Sequence, residues 1–203
     1  PDGENSVREQ YLSAITAARD YVYIEDQILL SRVVLVALRD ALERGVLVMA
    51  SVPGDPMTEL AAARAHPGIA AAYDALAAVG AYEGFCLSAP CTRREWGYEE
   101  VYVHAKTAVV DDRWATIGST NLIFTSFQGD TEMNVSFWDP DVARAFRVRQ
   151  VDEQLLQIGR VQEGDLVVII AGAPPGIPGS TNALRIHKMG DAINGVAPAY
   201  RRP

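Results

Sequence analysis

Apolar positions in the first half of the chain follow two alternating spacings. In residues 5–20 they recur every three or four positions, which is the period of a helix with one buried face. Residues 21–24 are aromatic and β-branched and predict a strand. The order then repeats, with a helix predicted over 31–45, a buried strand over 46–52 and a helix over 58–79 that is interrupted at His-Pro-Gly. Helices that alternate with strands predict a layered α/β fold with parallel neighbouring strands.

Beyond residue 100 the pattern changes to short strands joined by tight turns. Strands are predicted over 101–103, 106–111, 114–118 and 133–138. The Asp-Asp-Arg sequence at 111–113 predicts a hairpin turn between two of them. The fold class is therefore predicted as α/β, with a mixed sheet flanked by helices.

The last part of the chain predicts a separate run of elements. A capping aspartate and helical spacing predict a helix over 139–159, and an apolar run predicts a buried strand over 164–172. A loop rich in Pro and Gly comes next over 173–182, and a last strand is predicted over 183–190. These elements predict a short α/β tail appended to the main fold.

Composition and charge narrow the class of protein. A chain of 203 residues with 49% hydrophobic and 22% charged residues has room for one globular domain and an appendage. No apolar run approaches the roughly 20 residues that span a bilayer, and no signal peptide is visible, which favours the cytoplasm unless a targeting segment precedes the chain. The net charge of −8 lies in residues 1–149, and no basic run is present, so nucleic acid is not expected as a partner.

The two cysteines, Cys86 and Cys91, lie close together in sequence. No histidine lies within ten residues of them, so a zinc site is not predicted. Two reduced thiols are the favoured interpretation, and a local disulfide is the alternative.

One short cassette carries the candidate chemistry. The spacing HxK(x)4D(x)6GSxN begins at His104 and supplies Lys106, Asp111, Gly118, Ser119 and Asn121. Six fixed identities at fixed gaps arise by chance on the order of 10⁻⁸ per starting position. Strand alternation predicts that His104 and Lys106 project from one face, and a hairpin at Asp111 predicts that Ser119 and Asn121 return to the same place. An imidazole can attack an electrophile while an ammonium, a hydroxyl and an amide hold its negative oxygens.

This cassette closely resembles the HKD signature of the phospholipase D superfamily. The segment "YVYIEDQILLS" is similar to the one that opens the second catalytic half of members with two cassettes. The segment "NLIFTSFQGDTEMNVSFWDPDVARAF" is similar to the segment downstream of their second cassette. The resemblance covers roughly residues 5–149, and residues 1–149 are therefore predicted to form a phospholipase D-like domain.

The resemblance implies a role for each residue of the cassette. His104 would be the nucleophile that forms a phosphohistidine, Lys106 and Asn121 would bind the phosphate oxygens, and Ser119 would assist. Glu132 matches the family's downstream acid, which hydrogen-bonds and orients the histidine, although a solvated charge on a strand is the alternative.

Two further expectations come from the same resemblance, and a third comes from the end of a predicted strand. Asp111 belongs to the family pattern with a mainly structural role, although an ordinary turn residue would look the same. No cofactor and no metal are implied, because fixed donors take the place of a cation. Glu25 and Asp26, at the end of a predicted strand, either line the site or face water.

The chain departs from the family in having a single HKD histidine, and this departure determines the partner that we expect. Family members use two HKD histidines, one that attacks and one that protonates the leaving group. Neither His66 nor His187 has a lysine two positions on, so His104 alone fits the pattern. The second HKD half would come from a two-fold homodimer or from a missing N-terminal half. The expected substrate is a phospholipid, reached by peripheral contact with a membrane.

Residues 148–191 resemble a different family, the pyruvate kinases, at the end of their C-terminal domain. The strand "GDLVVIIAG" and the loop "PPGIPGSTN" carry this resemblance, and the catalytic barrel of that family is absent from the sequence. Residues 150–203 are therefore predicted to form a pyruvate kinase-like tail. It either packs as a remnant or presents loop donors around Ser180 to a phosphate-bearing small molecule.

The sequence thus predicts phosphodiester hydrolysis or transphosphatidylation through a phosphohistidine. The alternative is a catalytically inert interaction or regulatory module, in which only the tail loop binds a phosphate-bearing ligand or a partner chain.

Overall fold

The computed structural model describes residues 5–55, 58–147, 166–172 and 181–188. The helices are α1 (Ser6–Ala17), α2 (Arg32–Glu43), α3 (Thr58–Ala63), α4 (Pro67–Gly80), α5 (Phe124–Gln128) and α6, described over 140–147. The strands are β1 (Tyr21–Asp26), β2 (Leu47–Ser51), β3 (Phe85–Ser88), β4 (Cys91–Arg94), β5 (Gly97–Glu100), β6 (Lys106–Val110), β7 (Trp114–Gly118), β8 (Asn134–Phe137), β9 (Leu166–Gly172) and β10 (Thr181–Lys188).

A six-stranded mixed sheet in the order β3-β2-β1-β6-β7-β8 organises the main fold. The strands β1, β2 and β3 are parallel, whereas β6, β7 and β8 pair antiparallel with their neighbours. The predicted fold class, a mixed sheet flanked by helices, is confirmed. The switch in strand direction falls between β1 and β6, where Asp26 lies opposite Lys106.

Alternation along the strands places one set of apolar side chains under the helices. The buried side chains of β1, β2 and β6 on that face pack with α1, α2 and α4 into the largest core cluster. Tyr11 of α1 meets Trp114 of β7 edge to face, with ring centroids 5.4 Å apart. On the opposite face, Ala143 of α6 packs against Val109 and Ala115. The sheet is therefore the middle layer between two unequal helical layers.

The ends of the helices agree with the predicted signals. Gly45 comes after α2 with φ +87, a left-handed conformation in which a side chain would be strained. The interruption predicted at His-Pro-Gly separates α3 from α4, because Pro67 occupies the first turn of α4. The His66 ring caps that helix by accepting a hydrogen bond from the Gly68 N–H at 3.3 Å.

Several elements differ from the prediction. The strand predicted over 101–103 is wrong, since residues 101–105 form no regular element. The short strand β3, the β4–β5 hairpin and the five-residue helix α5 were not predicted, because four or five residues are too few to display a period. Residues 181–182, predicted as loop, begin strand β10.

In the tail, β9 and β10 form an antiparallel pair with Leu166 opposite Lys188. The predictions for 148–165, for the loop over 173–180 and for 189–203 lie outside the described residues, as does the predicted boundary after residue 149.

Two expectations from composition can be compared with the described residues. Cys86 is buried and Cys91 is exposed, and both are free thiols, as the favoured interpretation predicted. Burial raises the pKa of the Cys86 thiol. Within the described ranges, no helix has the length and apolar character needed to cross a membrane.

Candidate functional site

The cassette lies at the edge of the sheet where the parallel strands end. Strand β1 ends at Asp26 and its antiparallel neighbour β6 begins at Lys106, directly opposite. Strand β7 returns to this edge and ends at Gly118. In open α/β sheets ligands bind outside the carboxyl ends of the parallel strands, at the point where the strand order reverses, which here lies between β1 and β6.

Lys106 is the buried cation of this edge. Its Nζ donates hydrogen bonds to Gln27 Oε1 at 3.2 Å and to the backbone carbonyl of His104 at 3.0 Å. Desolvation lowers the pKa of the ammonium, and the nearby carboxylates of Asp26 and Glu132 oppose that shift. Two neutral oxygens thus hold the Lys106 ammonium at the sheet edge, where the side chain is largely shielded from water.

His104 lies outside the strand that holds Lys106. The predicted alternation of the two side chains along one strand is wrong, because β6 begins only at Lys106. The imidazole is exposed and stacks on Tyr102, with ring centroids 6.5 Å apart. Lys106 therefore contacts His104 through its backbone carbonyl, and the imidazole stays accessible at the surface of the edge.

Ser119 and Glu132 contact each other directly. The Ser119 hydroxyl donates to Glu132 Oε2 in a short hydrogen bond and accepts one from the Met133 N–H at 3.1 Å. The Ser119 N–H in turn donates to the Met133 carbonyl at 3.0 Å. The resemblance predicted that Glu132 would orient His104, and among the described residues its hydrogen bond goes to Ser119 instead.

Asp26 is the site residue whose role sequence reasoning left open. It is fully buried, at 0% exposure, and its Oδ1 accepts hydrogen bonds from the N–H groups of Ile28 at 2.8 Å and Leu122 at 3.3 Å. The second bond ties the turn that carries Asn121 to the end of β1. Neither Asp26 Oδ2 nor Asn121 Oδ1 has a hydrogen-bond partner among the described residues.

Burial raises the pKa of the Asp26 carboxyl to about 8, against the lowering effect of two backbone N–H groups and the Lys106 charge. Glu132 raises it further. The alternation of side chains along β1 could have identified Asp26, because Val22 and Ile24 face the core and Asp26 continues their row.

Asp111 lies at the far end of β6 from Lys106. Five residues at about 3.3 Å each place it about 16 Å away. Its two carboxylate oxygens accept the N–H groups of Arg19 at 2.8 Å, Asp20 at 3.0 Å and Tyr21 at 2.8 Å. The structural role that the resemblance implied fits these bonds, which fasten the β6–β7 turn to the start of β1.

A hydroxyl and amide network supports the Gly-Ser-x-Asn turn from below. Asn134 Oδ1 accepts from Thr120 Oγ1 at 2.7 Å, and Asn134 Nδ2 donates to Thr116 Oγ1 at 3.1 Å. The Cα of Gly118 packs so closely on the start of β8 that a Cβ would overlap Asn134 Oδ1 and the Met133 carbonyl. The glycine of the cassette is therefore required by packing, and the network itself was missed because its polar residues match no spacing motif.

Comparison with known families gives a match over most of the chain. Residues 11–150 match the family model described as "Cardiolipin synthase, PLD-like domain". A 50-residue segment is 36% identical to cardiolipin synthase 1 of Staphylococcus epidermidis, which is 25% of this chain and 10% of that protein. A 44-residue segment is 59% identical to the pyruvate kinase of Mycobacterium intracellulare, which is 22% of this chain and 9% of the kinase. The aligned segments thus span about a tenth of these relatives.

Solved structures support the fold. The phospholipase D family member Nuc from Salmonella typhimurium superposes with a TM-score of 0.51 at 22% identity, covering 74% of this chain and 88% of that chain. The phosphatidylserine synthase of Haemophilus influenzae Rd KW20 superposes with a TM-score of 0.50 at 15% identity, covering 80% of this chain and 40% of that chain. These likenesses show a shared fold.

A first prediction concerns the glycine of the cassette. Gly118→Ala should lower the free energy of unfolding by about 1–3 kcal/mol, because the added methyl group would force Asn134 and Met133 apart. The matched control is Gly80→Ala at the end of α4, where the structure leaves the added methyl group free of contacts. There the change should be neutral or stabilise by about 0.5–1 kcal/mol. Urea denaturation measures both, and equal effects would show that Gly118 is not a packing requirement.

A second prediction concerns pH and Asp26. The folded protein retains a proton on Asp26 that the unfolded chain, with a pKa of 3.8, releases. The free energy of unfolding of the wild type therefore declines as pH rises from about 4 towards 8, because the unfolded chain loses this proton first. Asp26→Asn keeps the Oδ1 acceptor without the charge, so over this range the variant should gain on the order of a few kcal/mol relative to the wild type.

Urea denaturation at a series of pH values measures this gain. The control is Asp130→Asn, which removes an exposed carboxylate and should leave the pH dependence of the wild type in place. Parallel pH profiles for the wild type and Asp26→Asn would contradict the assignment of a raised pKa to Asp26.

Proposed function

The chain belongs through residues 11–150 to the PLD-like domain family of cardiolipin synthases, and from that membership we propose that it supplies one half of a phosphodiester-cleaving site. The reaction proposed is hydrolysis of a phosphodiester, or transfer of its phosphatidyl group to an alcohol, through a phosphohistidine. The proposed substrate is a phospholipid.

One observation carries this proposal: Lys106, the turn of Ser119 and Asn121, and the accessible His104 imidazole lie at one edge of the sheet. Lys106 supplies a buried ammonium, and Ser119 and Asn121 lie on the turn that Asp26 fastens to β1. An ammonium, a hydroxyl and an amide at this edge would stabilise the negative oxygens that develop on phosphorus as the bond to the leaving group breaks. These donors supply the charge compensation, so the proposal invokes no metal.

The proposed chemistry is a double displacement. A nitrogen of His104 attacks phosphorus and the bond to the leaving alkoxide breaks, which leaves a phosphohistidine. The alkoxide takes its proton from a second histidine on the opposite side of the phosphorus. Water or an alcohol then attacks the phosphohistidine and gives that second histidine its proton, which restores both side chains.

The second histidine must come from outside this cassette. One imidazole cannot attack along the line of the breaking bond and also protonate the departing oxygen at the other end of that line. We propose that a second copy of the chain, or a separate N-terminal half, brings it. Because the His104 imidazole has no hydrogen bond to a described residue, the same partner would supply the contact that orients its ring.

Two observations support a phospholipid as the substrate, the net charge of the chain and its membership of the PLD-like family. A net charge of −8 disfavours a polyanionic nucleic acid, whereas a single phosphodiester needs only a local cation such as Lys106. Peripheral contact with a membrane would deliver such a substrate.

The tail is proposed as a separate appended unit over residues 150–203. The identity of its 44-residue match supports a pyruvate kinase-like origin, and strand β10 begins at Thr181, at the end of the candidate anion-binding loop.

An inert interaction or regulatory module is the second candidate. The bond between Glu132 and Ser119 favours it, because that bond occupies both the hydroxyl donor and the acid that the reaction would use.

A third prediction tests the need for two halves. The specific activity on a soluble diester, bis(4-nitrophenyl) phosphate, should rise with protein concentration and level off where sedimentation shows a dimer. Full activity from a proven monomer would contradict the two-half mechanism. A dimer without turnover would contradict the homodimeric enzyme and favour the inert module.

A fourth prediction tests the nucleophile. His104→Ala should abolish turnover and the acid-labile phosphohistidine, and an excess of this variant should inhibit the wild type by forming mixed pairs. The control is His66→Asn, which keeps a side-chain acceptor at the start of α4 and should preserve turnover of the soluble diester. Activity that survives in His104→Ala would exclude His104 as the nucleophile.

A further inference from the structure

A pocket of about 420 Å³ opens beside the cassette. Its walls are mainly apolar and come from four places in the chain: the segment after β1, the start of α4, helix α5 and one residue of α1. Leu30, Ile69, Ala72, Ile123 and Phe127 form most of the apolar wall. This volume lies within the range of pockets that hold small molecules.

Backbone hydrogen bonds connect the pocket to the cassette. The carbonyl of Leu122, the residue after Asn121, accepts the N–H groups of Leu30 at 2.9 Å and Ser31 at 2.7 Å. Leu30 and Ser31 line the pocket on one side, and Ile123 continues its wall directly after Leu122. The pocket therefore begins within two residues of the amide proposed to bind phosphate oxygens, at the same edge of the sheet.

The charge around the pocket has one sign. Arg8 and Arg32 line it, and no aspartate or glutamate is among the lining residues. Neither guanidinium forms an ion pair with a residue in the described ranges. The first turn of α2, with its unpaired N–H groups, also faces this side and adds partial positive charge. An apolar cavity with a cationic rim suits a ligand that has an apolar chain and a negative head.

We propose that this pocket binds one acyl chain of an anionic phospholipid, with Arg8 and Arg32 at its rim attracting the lipid's negative charge towards the cassette. The proposal rests on the proposed function for the choice of a lipid, and it adds the subsite that selects one. Water-soluble diesters would be turned over without using it. A chain in the pocket would fix the phosphodiester at the edge where Lys106 lies.

Two valines of α2 provide a matched test. Val33 and Val36 are 47% and 46% exposed, lie one turn apart, and only Val33 lines the pocket. Titration calorimetry with monomeric short-chain phosphatidylglycerol, on the full chain carrying His104→Ala to prevent turnover, measures affinity. Val33→Gln should weaken binding about fourfold for each CH₂ group of the lipid that is no longer buried, whereas Val36→Gln should leave it unchanged. Equal effects of the two variants, or no binding at all, would overturn the proposal.

The head group is tested with a second pair of variants. Arg32→Gln should weaken binding of phosphatidylglycerol more than that of zwitterionic phosphatidylcholine. Arg113→Gln, in the β6–β7 turn at the far end of the sheet, should change neither. If Arg32→Gln and Arg113→Gln weaken binding alike, the effect is one of net charge and the rim does not bind the head.

Photolabelling locates the chain directly. A phosphatidylglycerol with a diazirine at the end of one acyl chain should label residues 28–33, 66–72 and 123–128. Labelling spread over other parts of the sheet would overturn the proposal. So would a result in which Val33→Gln alters sedimentation but not lipid affinity, because the pocket would then be an interface between copies. Since binding needs no turnover and the soluble diester needs no pocket, failure here is distinguishable from failure of the proposed function.

Discussion

The antiparallel pairing of β1 with β6 is the constraint on which the site depends, because it sets Asp26 opposite Lys106. Both side chains face the helical layer, where the surrounding core excludes water. Asp26 then receives the N–H groups of Ile28 and Leu122, which draws the Asn121 turn onto the end of β1. A shift of β6 by one residue would turn Lys106 to the other face of the sheet and separate the ammonium from the turn.

Burial acts on this pair in two opposed ways. It raises the pKa of Asp26 to about 8 and lowers that of Lys106, so each group moves towards its neutral form. At neutral pH the carboxyl is mostly protonated, and it keeps the turn in place through Oδ1 without cancelling the positive charge beside it. Asp26 Oδ2 and Asn121 Oδ1 have no hydrogen-bond partner among the described residues, which shows that polar groups are held here at a cost in stability. Such a cost is typical of a site arranged for a ligand.

The sequence was informative where a period or a fixed spacing exists. The helical spacing of α1 and α2, the apolar runs of β1 and β2 and the His-x-Lys cassette all indicated elements at or near their observed places. It was less informative where tertiary contacts decide. Nothing local indicates that residues 101–105 form no regular element, that Glu132 bonds to Ser119, or that Asn134 supports the turn. Asp26 falls between these cases, since alternation with Val22 and Ile24 could have indicated its burial but not its hydrogen-bond partners.

The acidic character of the chain and its proposed anionic ligand are reconciled by the direction of the strands. At the edge where β6 ends, Asp111 and Asp112 use their carboxylates on backbone N–H groups, on the Tyr21 hydroxyl and on Arg147. At the other edge lie the Lys106 ammonium and the two arginines of the pocket. Carboxylates fastened at the far end of the strands contribute little there, since charges about 16 Å apart exceed the Debye length of about 8–10 Å. The positive charge at this edge can therefore hold a single phosphodiester although the chain as a whole is acidic.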